Sequence, residues 1–120
     1  MAMTNLTKAE SLLAAIIWEH QPMASSELVR LCGEELEWKK TTTYTMLKKL
    51  ENKGLFLNDG GTVRALLAKD EFAAQQSREF VSQQFDGSLP RFFAAFTRGK
   101  GLDDQEVAEI QKLIDRYKGE

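Results

Sequence analysis

Apolar positions along this chain group into six helix-like stripes interrupted once by a short stretch of β-prone residues. Leu12, Leu13, Ile16 and Ile17 recur at the i, i+1, i+4, i+5 spacing of one buried helix face. Ahead of them Thr7-Lys8-Ala9-Glu10 has the form of a capping box, in which hydroxyl and carboxylate satisfy free amides at a helix start. Pro22 limits this helix near His20. A second short helix is expected with Ser25 as its cap, Leu28, Leu31 and Cys32 turned inward, Glu27 and Arg30 outward, and Gly33 as its stop. Beyond Glu34 to Glu37 a third helix runs from about Lys40 to Lys53, burying Thr43, Met46, Leu47 and Leu50 before Gly54 ends it. Leu55-Phe56-Leu57 and Val63 to Leu67 then read as two strands joined through Asn58-Asp59-Gly60-Gly61-Thr62, whose glycines supply the positive φ of a tight reversal.

Three helices and a hairpin, with the third helix basic and rich in hydroxyls, follow the order of a winged helix-turn-helix. The expected fold is therefore mainly α with a small β-hairpin: a winged-helix head over residues 1–68 and a helical dimerisation region over 69–120. The tail pattern comes in three segments. Asp70 is placed to cap a helix burying Phe72, Phe80 and Phe85; Gly87-Ser88 restarts the chain; and Leu89, Phe92, Phe93 and Phe96 form an aromatic stripe that Gly99 and Gly101 break. Asp103 and Glu106 make a second capping box, with Leu102 and Val107 as a hydrophobic staple, and Ile110, Leu113, Ile114 and Tyr117 continue that face. Three short helices can barely bury so many large side chains alone, so a second copy of the chain is the expected cover for Phe80, Leu89, Phe92, Phe93, Phe96, Val107, Ile110, Leu113 and Ile114. The competing arrangement packs these stripes on the head.

At 120 residues the chain holds one compact domain with an appendage. The opening MAMTNLTKAE has no basic region followed by an apolar stretch, and no run approaches the roughly 18 apolar residues of a membrane helix. A cytoplasmic protein without membrane insertion is expected. One cysteine, Cys32, and one histidine, His20, exclude an internal disulfide and disfavour a Cys/His metal site; no cofactor is implied. The net charge of −2 hides an asymmetry that changes the picture. Between Lys39 and Arg64 six basic residues face two acidic ones, leaving −6 for the rest.

In a helix-turn-helix the first turns of the second helix enter the major groove, which calls for small polar and cationic side chains opposite the core. Thr41, Thr42, Tyr44, Thr45 and Lys48 are the candidate base contacts. Lys39, Lys40, Lys49 and Arg64 are the candidate phosphate contacts, setting affinity and salt dependence. Capping is the rival use of the threonines at 41 and 42, and it leaves the flanking lysines unexplained.

The stretch from Trp38 to Leu55, with Lys39-Lys40-Thr41-Thr42-Thr43-Tyr44-Thr45-Met46-Leu47-Lys48-Lys49 at its centre, resembles the recognition helix of the BlaI/MecI/CopY family of bacterial penicillinase repressors. Leu6-Thr7-Lys8-Ala9-Glu10 leading to Ile16-Ile17-Trp18 is similar to the family's opening, and Ala94-Ala95-Phe96 followed by Leu102-Asp103-Asp104-Gln105-Glu106 to its last two helices. The resemblance implies a homodimer that binds a palindromic operator and blocks transcription. In members tied to β-lactam resistance it further implies a membrane sensor protease, which triggers cleavage in the penultimate helix, typically between Asn and Phe. Ala95-Phe96 occupies that position here, a departure from the pattern, and the paired C-x-C motifs of the copper-sensing branch are absent from this tail. The wing, Thr62-Val63-Arg64-Ala65, is less basic than the family's usual one.

The residues alone leave two other regulators open: a winged-helix protein-interaction module, compatible with the acidic total, and a ligand-responsive winged-helix regulator whose aromatic tail lines a pocket. An enzyme is disfavoured, since no nucleophile, base and phosphate loop come together in the sequence.

Overall fold

The computed structural model describes residues 5–119, so the first four residues of the N-terminal stretch lie outside it. Six helices and three short strands follow one another as α1 (Lys8–His20), β1 (Met23–Ala24), α2 (Ser25–Leu36), α3 (Lys40–Asn52), β2 (Phe56–Asp59), β3 (Thr62–Ala65), α4 (Lys69–Gln84), α5 (Leu89–Thr97) and α6 (Asp104–Tyr117). The described residues form two compact units, one up to Glu79 and one from Phe80 onward, with the break inside α4. The boundary expected at 68/69 falls eleven residues earlier than this break. Phe72 accounts for part of the difference, because its ring lies 5.6 Å from that of Trp18 and so attaches the first turns of α4 to the first unit.

The first unit is a winged helix-turn-helix, as the pattern predicts. Thr7 and Glu10 form the capping box of α1 in both directions. Leu13, Ala14, Ile16 and Ile17 are the buried apolar positions of α1, while Leu12 sits at the rim, 41% exposed. These residues meet Leu28, Cys32, Leu47, Leu50, Phe56 and Val63 in one core, each of them essentially inaccessible to solvent. Trp18 closes one side, its indole Nε1 donating to the Leu67 carbonyl at 2.9 Å and its ring packing on Phe56 at 5.1 Å.

Three local expectations are corrected. The N-cap of α2 is Ala24, which offers no side-chain hydrogen bond, and Ser25 is the first helical residue. Gly33 does not stop α2, which runs three residues further and ends where Glu37 adopts a left-handed conformation at φ 58°. Asp70 lies inside the first turn of α4 rather than ahead of it. The hairpin has the two-residue turn Gly60-Gly61 with φ of 61° and 96°, backbone angles that favour glycine at both places. Its β3 strand also pairs with β1, Met23 opposite Val63 and Ala24 opposite Thr62, so the sheet has three antiparallel strands in the order β1-β3-β2. The two residues of β1 are too short to register as an alternating run in sequence.

The second unit consists of the end of α4, α5 and α6. Ser88 caps α5 through the Arg91 amide, and Asp103 and Glu106 form the full capping box of α6. No side chain of α4, α5 or α6 is fully buried. Among the described residues, no helix is long and apolar enough to cross a membrane.

Candidate functional site

Helix α3 is anchored by Thr43, Leu47 and Leu50, all but inaccessible, with Met46 half-buried beside them. At 100° per residue this fixes the opposite face: Thr41, Thr45, Lys48 and Asn52 lie along one line, and all four are exposed. Thr42 and Lys49, also exposed, flank that line on one side. The hydroxyls of Thr41, Thr42 and Thr45 have no hydrogen-bond partner among the described residues. Capping does not occupy them either, since the N-cap is Lys39, and it is Thr43 that bonds back, donating to the Lys39 carbonyl at 3.2 Å. Lys39, Lys40, Lys48 and Lys49 are exposed and unpaired among the described residues.

Two basic-segment residues behave differently from the rest. Lys53, counted in the positive run, turns inward: its Nζ donates to Glu10 Oε1 and to the Asn5 carbonyl, both at 2.7 Å. Glu10 is 3% exposed, and the Lys53 ammonium, then the Thr7 amide, hold its carboxyl below the ordinary value against the opposing effect of burial. Tyr44, expected among the base contacts, is half-buried against the core on the other flank of α3, and its hydroxyl donates to Ser25 Oγ at 3.1 Å.

The wing contributes little net charge. Arg64 is exposed on β3 and Asp59 is exposed beside the turn, while Glu51 of α3 accepts from the Asn58 amide at 3.0 Å and ties β2 to the helix. On α2, Arg30 is held between Glu27 and Glu34 and leaves no free cation on that face. Cys32 is a buried core residue whose thiol pKa is raised by loss of water, and His20 is exposed in the last turn of α1. No group of His, Cys, Asp and Glu suited to a metal ion occurs among the described residues.

Asn52 was not foreseen from the sequence, although its spacing of i, i+4, i+7, i+11 from Thr41 through Thr45 and Lys48 carries the signal. Ser25 was foreseen only as a cap. Its role as partner of Tyr44, nineteen positions away, has no local signature.

In the second unit, α5 and α6 border an apolar cleft of about 680 Å³ lined by Leu89, Pro90, Phe92, Phe93, Ile110, Leu113, Ile114, Tyr117 and Lys118. Six of the nine expected interface residues line it. Of the other three, Phe80 and Phe96 pack with Phe92, at 6.2 and 6.0 Å between ring centroids, and Val107 is exposed on α6. Leu89 is 64% exposed and Phe96 60%, an apolar surface that water covers in a single chain. Ala95 is half-buried and Phe96 exposed, both within the nine residues of α5.

A family model described as penicillinase repressor matches residues 6–116, from before α1 into the last turn of α6. The penicillinase repressor of Bacillus licheniformis is 22% identical over 118 residues, which cover 94% of this chain and 91% of that protein.

Proposed function

The chain belongs to the penicillinase repressor family, which makes it a transcription regulator and not an enzyme, and from that premise we infer a homodimeric repressor that reads a palindromic DNA operator with α3. The observation that carries this reading is the exposed line Thr41, Thr45, Lys48, with unbonded hydroxyls and unpaired ammonium, opposite the buried Thr43, Leu47 and Leu50. Hydroxyls and a cation on one helix face match the acceptors and methyl groups of a major-groove floor. Thr42 reads from the flank, and Asn52 extends the line toward adenine. Lys39, Lys40 and Lys49 surround the line and meet phosphates, with Arg64 adding one contact from the wing. Because Asp59 offsets Arg64, most of the electrostatic affinity comes from α3.

Dimerisation through the tail is supported by its composition of exposed apolar side chains without a buried core. Induction on this reading removes the interface, and cleavage at Ala95-Phe96 triggered by a membrane sensor would do so by separating α6 from the rest.

The test is a mobility-shift titration on duplexes that the protein selects from a random-sequence library, at two salt concentrations with random DNA as competitor. A shift that prefers the selected duplex and weakens steeply with salt is the expected result. Absence of any preference at either salt would replace this reading with a protein-interaction module.

A further inference from the structure

Helix α2 starts without a side-chain cap, since Ala24 precedes it, and its first free amide finds a partner outside the helix. The Ser25 amide donates to the Gly61 carbonyl at 2.8 Å, in the turn of the wing. From the other side the Ser25 hydroxyl oxygen accepts the Tyr44 hydroxyl at 3.1 Å. One residue thus joins three elements: the start of α2, the tip of the wing and the first turns of α3. Packing of Leu47 and Leu50 on the core resists separation of α3, and the Lys53 and Glu51 hydrogen bonds tether its C-terminal end, but these contacts lie beyond the first turns, where a small roll about the axis moves Thr41 and Thr45. A hydrogen bond from the flank is directional and opposes that roll.

We propose that Tyr44 is a positioning residue which, through Ser25 and the Gly61 carbonyl, locks the roll of α3 to the wing, so that base-reading side chains and wing engage DNA in one register. This rests on the DNA-reading function inferred above. The phenol is already bonded within the protein and half-buried, so it acts through Ser25 and not on a base edge. Thr41, Thr45 and Lys48 depend on it, because a roll that shifts their tips by about 1 Å breaks hydrogen bonds that require about 2.7–3.2 Å.

The experiment compares wild type, Tyr44→Phe, Ser25→Ala and the double variant for affinity on the selected duplex, on random duplex, and on a set in which each base pair of the half-site is changed in turn. Thermal melting of each variant is followed alongside. Both single variants are expected to lower the selected-over-random ratio by about three- to tenfold, the worth of one neutral hydrogen bond. The double variant should be no worse than either single one, random-DNA affinity should stay at the wild-type level, and the loss should spread across all base positions.

Relaxation at one base pair only would instead make Tyr44 a direct reader. An equal loss on selected and random DNA would make it a phosphate contact. Additive effects of the two substitutions, or no effect of Tyr44→Phe, would overturn the coupling to Ser25. A loss that tracks melting temperature alone would reduce the pair to fold stability. If wild type itself selects no duplex, the DNA-reading function fails first and the proposal with it.

Discussion

Lys48 stands in the middle of the exposed line of α3, one turn beyond Thr45, and forms no ion pair among the described residues. Lys48→Ala is expected to weaken binding to the selected duplex about tenfold or more, since a good base contact discriminates by ~1–3 kcal/mol, with fold and dimer unchanged. Unaltered affinity in a salt titration would remove α3 from the groove. Lys49→Ala, on the flank, should instead lower affinity for all sequences alike and reduce the slope of log K against log salt by about 0.9. Lys53 is chemically the same residue with a different assignment, because its ammonium faces Glu10. Lys53→Met should leave that slope unchanged and cost about 1.5–3 kcal/mol of stability by urea denaturation, the worth of a hydrogen bond to a charged group. The same pair sets a pH dependence. The folded Glu10 carboxyl ionises below its ordinary value of 4.5, so its contribution is complete above that pH and is lost as pH falls through the folded value. Melting temperature should therefore drop on acidification below about pH 4.5, and Glu10→Gln should flatten that part of the profile. Helix periodicity alone separates the lysines at 48 and 49, whereas only the position of α1 over the end of α3 sets Lys53 apart.

At the scale of elements, helix starts are legible wherever a side chain does the capping. Thr7 with Glu10 and Asp103 with Glu106 work over three residues and need no tertiary partner, so both boxes could be read directly. The start of α2 was misassigned because its amide is satisfied by Gly61, thirty-six positions away. Gly33 misled for a related reason: a glycine ends a helix only when the next turn gains nothing by continuing, and here Leu36 reaches the core one turn later. For α6, a helix of 14 residues with no buried side chain, the cap is a large share of its stability. Asp103→Ala should cost about 1 kcal/mol there and speed amide hydrogen exchange through α6, while exchange in α1 to α3 is unchanged.

The whole molecule divides its labour unequally. Among the described residues, the first unit carries all the fully buried apolar ones, and the second carries exposed ones along α5 and α6. A chain with this distribution is complete as a fold in its first unit and incomplete as a surface in its second. Replacing Phe92 and Phe96 by serine should convert a dimer to a monomer in sedimentation, and should weaken operator binding because two half-sites are then no longer held together. A sedimentation profile matching wild type would take the tail out of the interface. Loss of oligomerisation with intact melting of the first unit would separate the two roles.

Periodicity and capping chemistry determined the order and type of nearly every element, the wing turn and the face of α3 that bears the threonines and lysines, because these depend on neighbours within about one helical turn. Tertiary structure alone decided which cation is neutralised, that Tyr44 turns toward Ser25 instead of the exposed line, that a two-residue strand completes the sheet, and that Phe72 belongs with Trp18. Each of these joins residues 19 to 54 positions apart, and such pairings follow from how helices and strands pack in space, which spacing along one element does not encode.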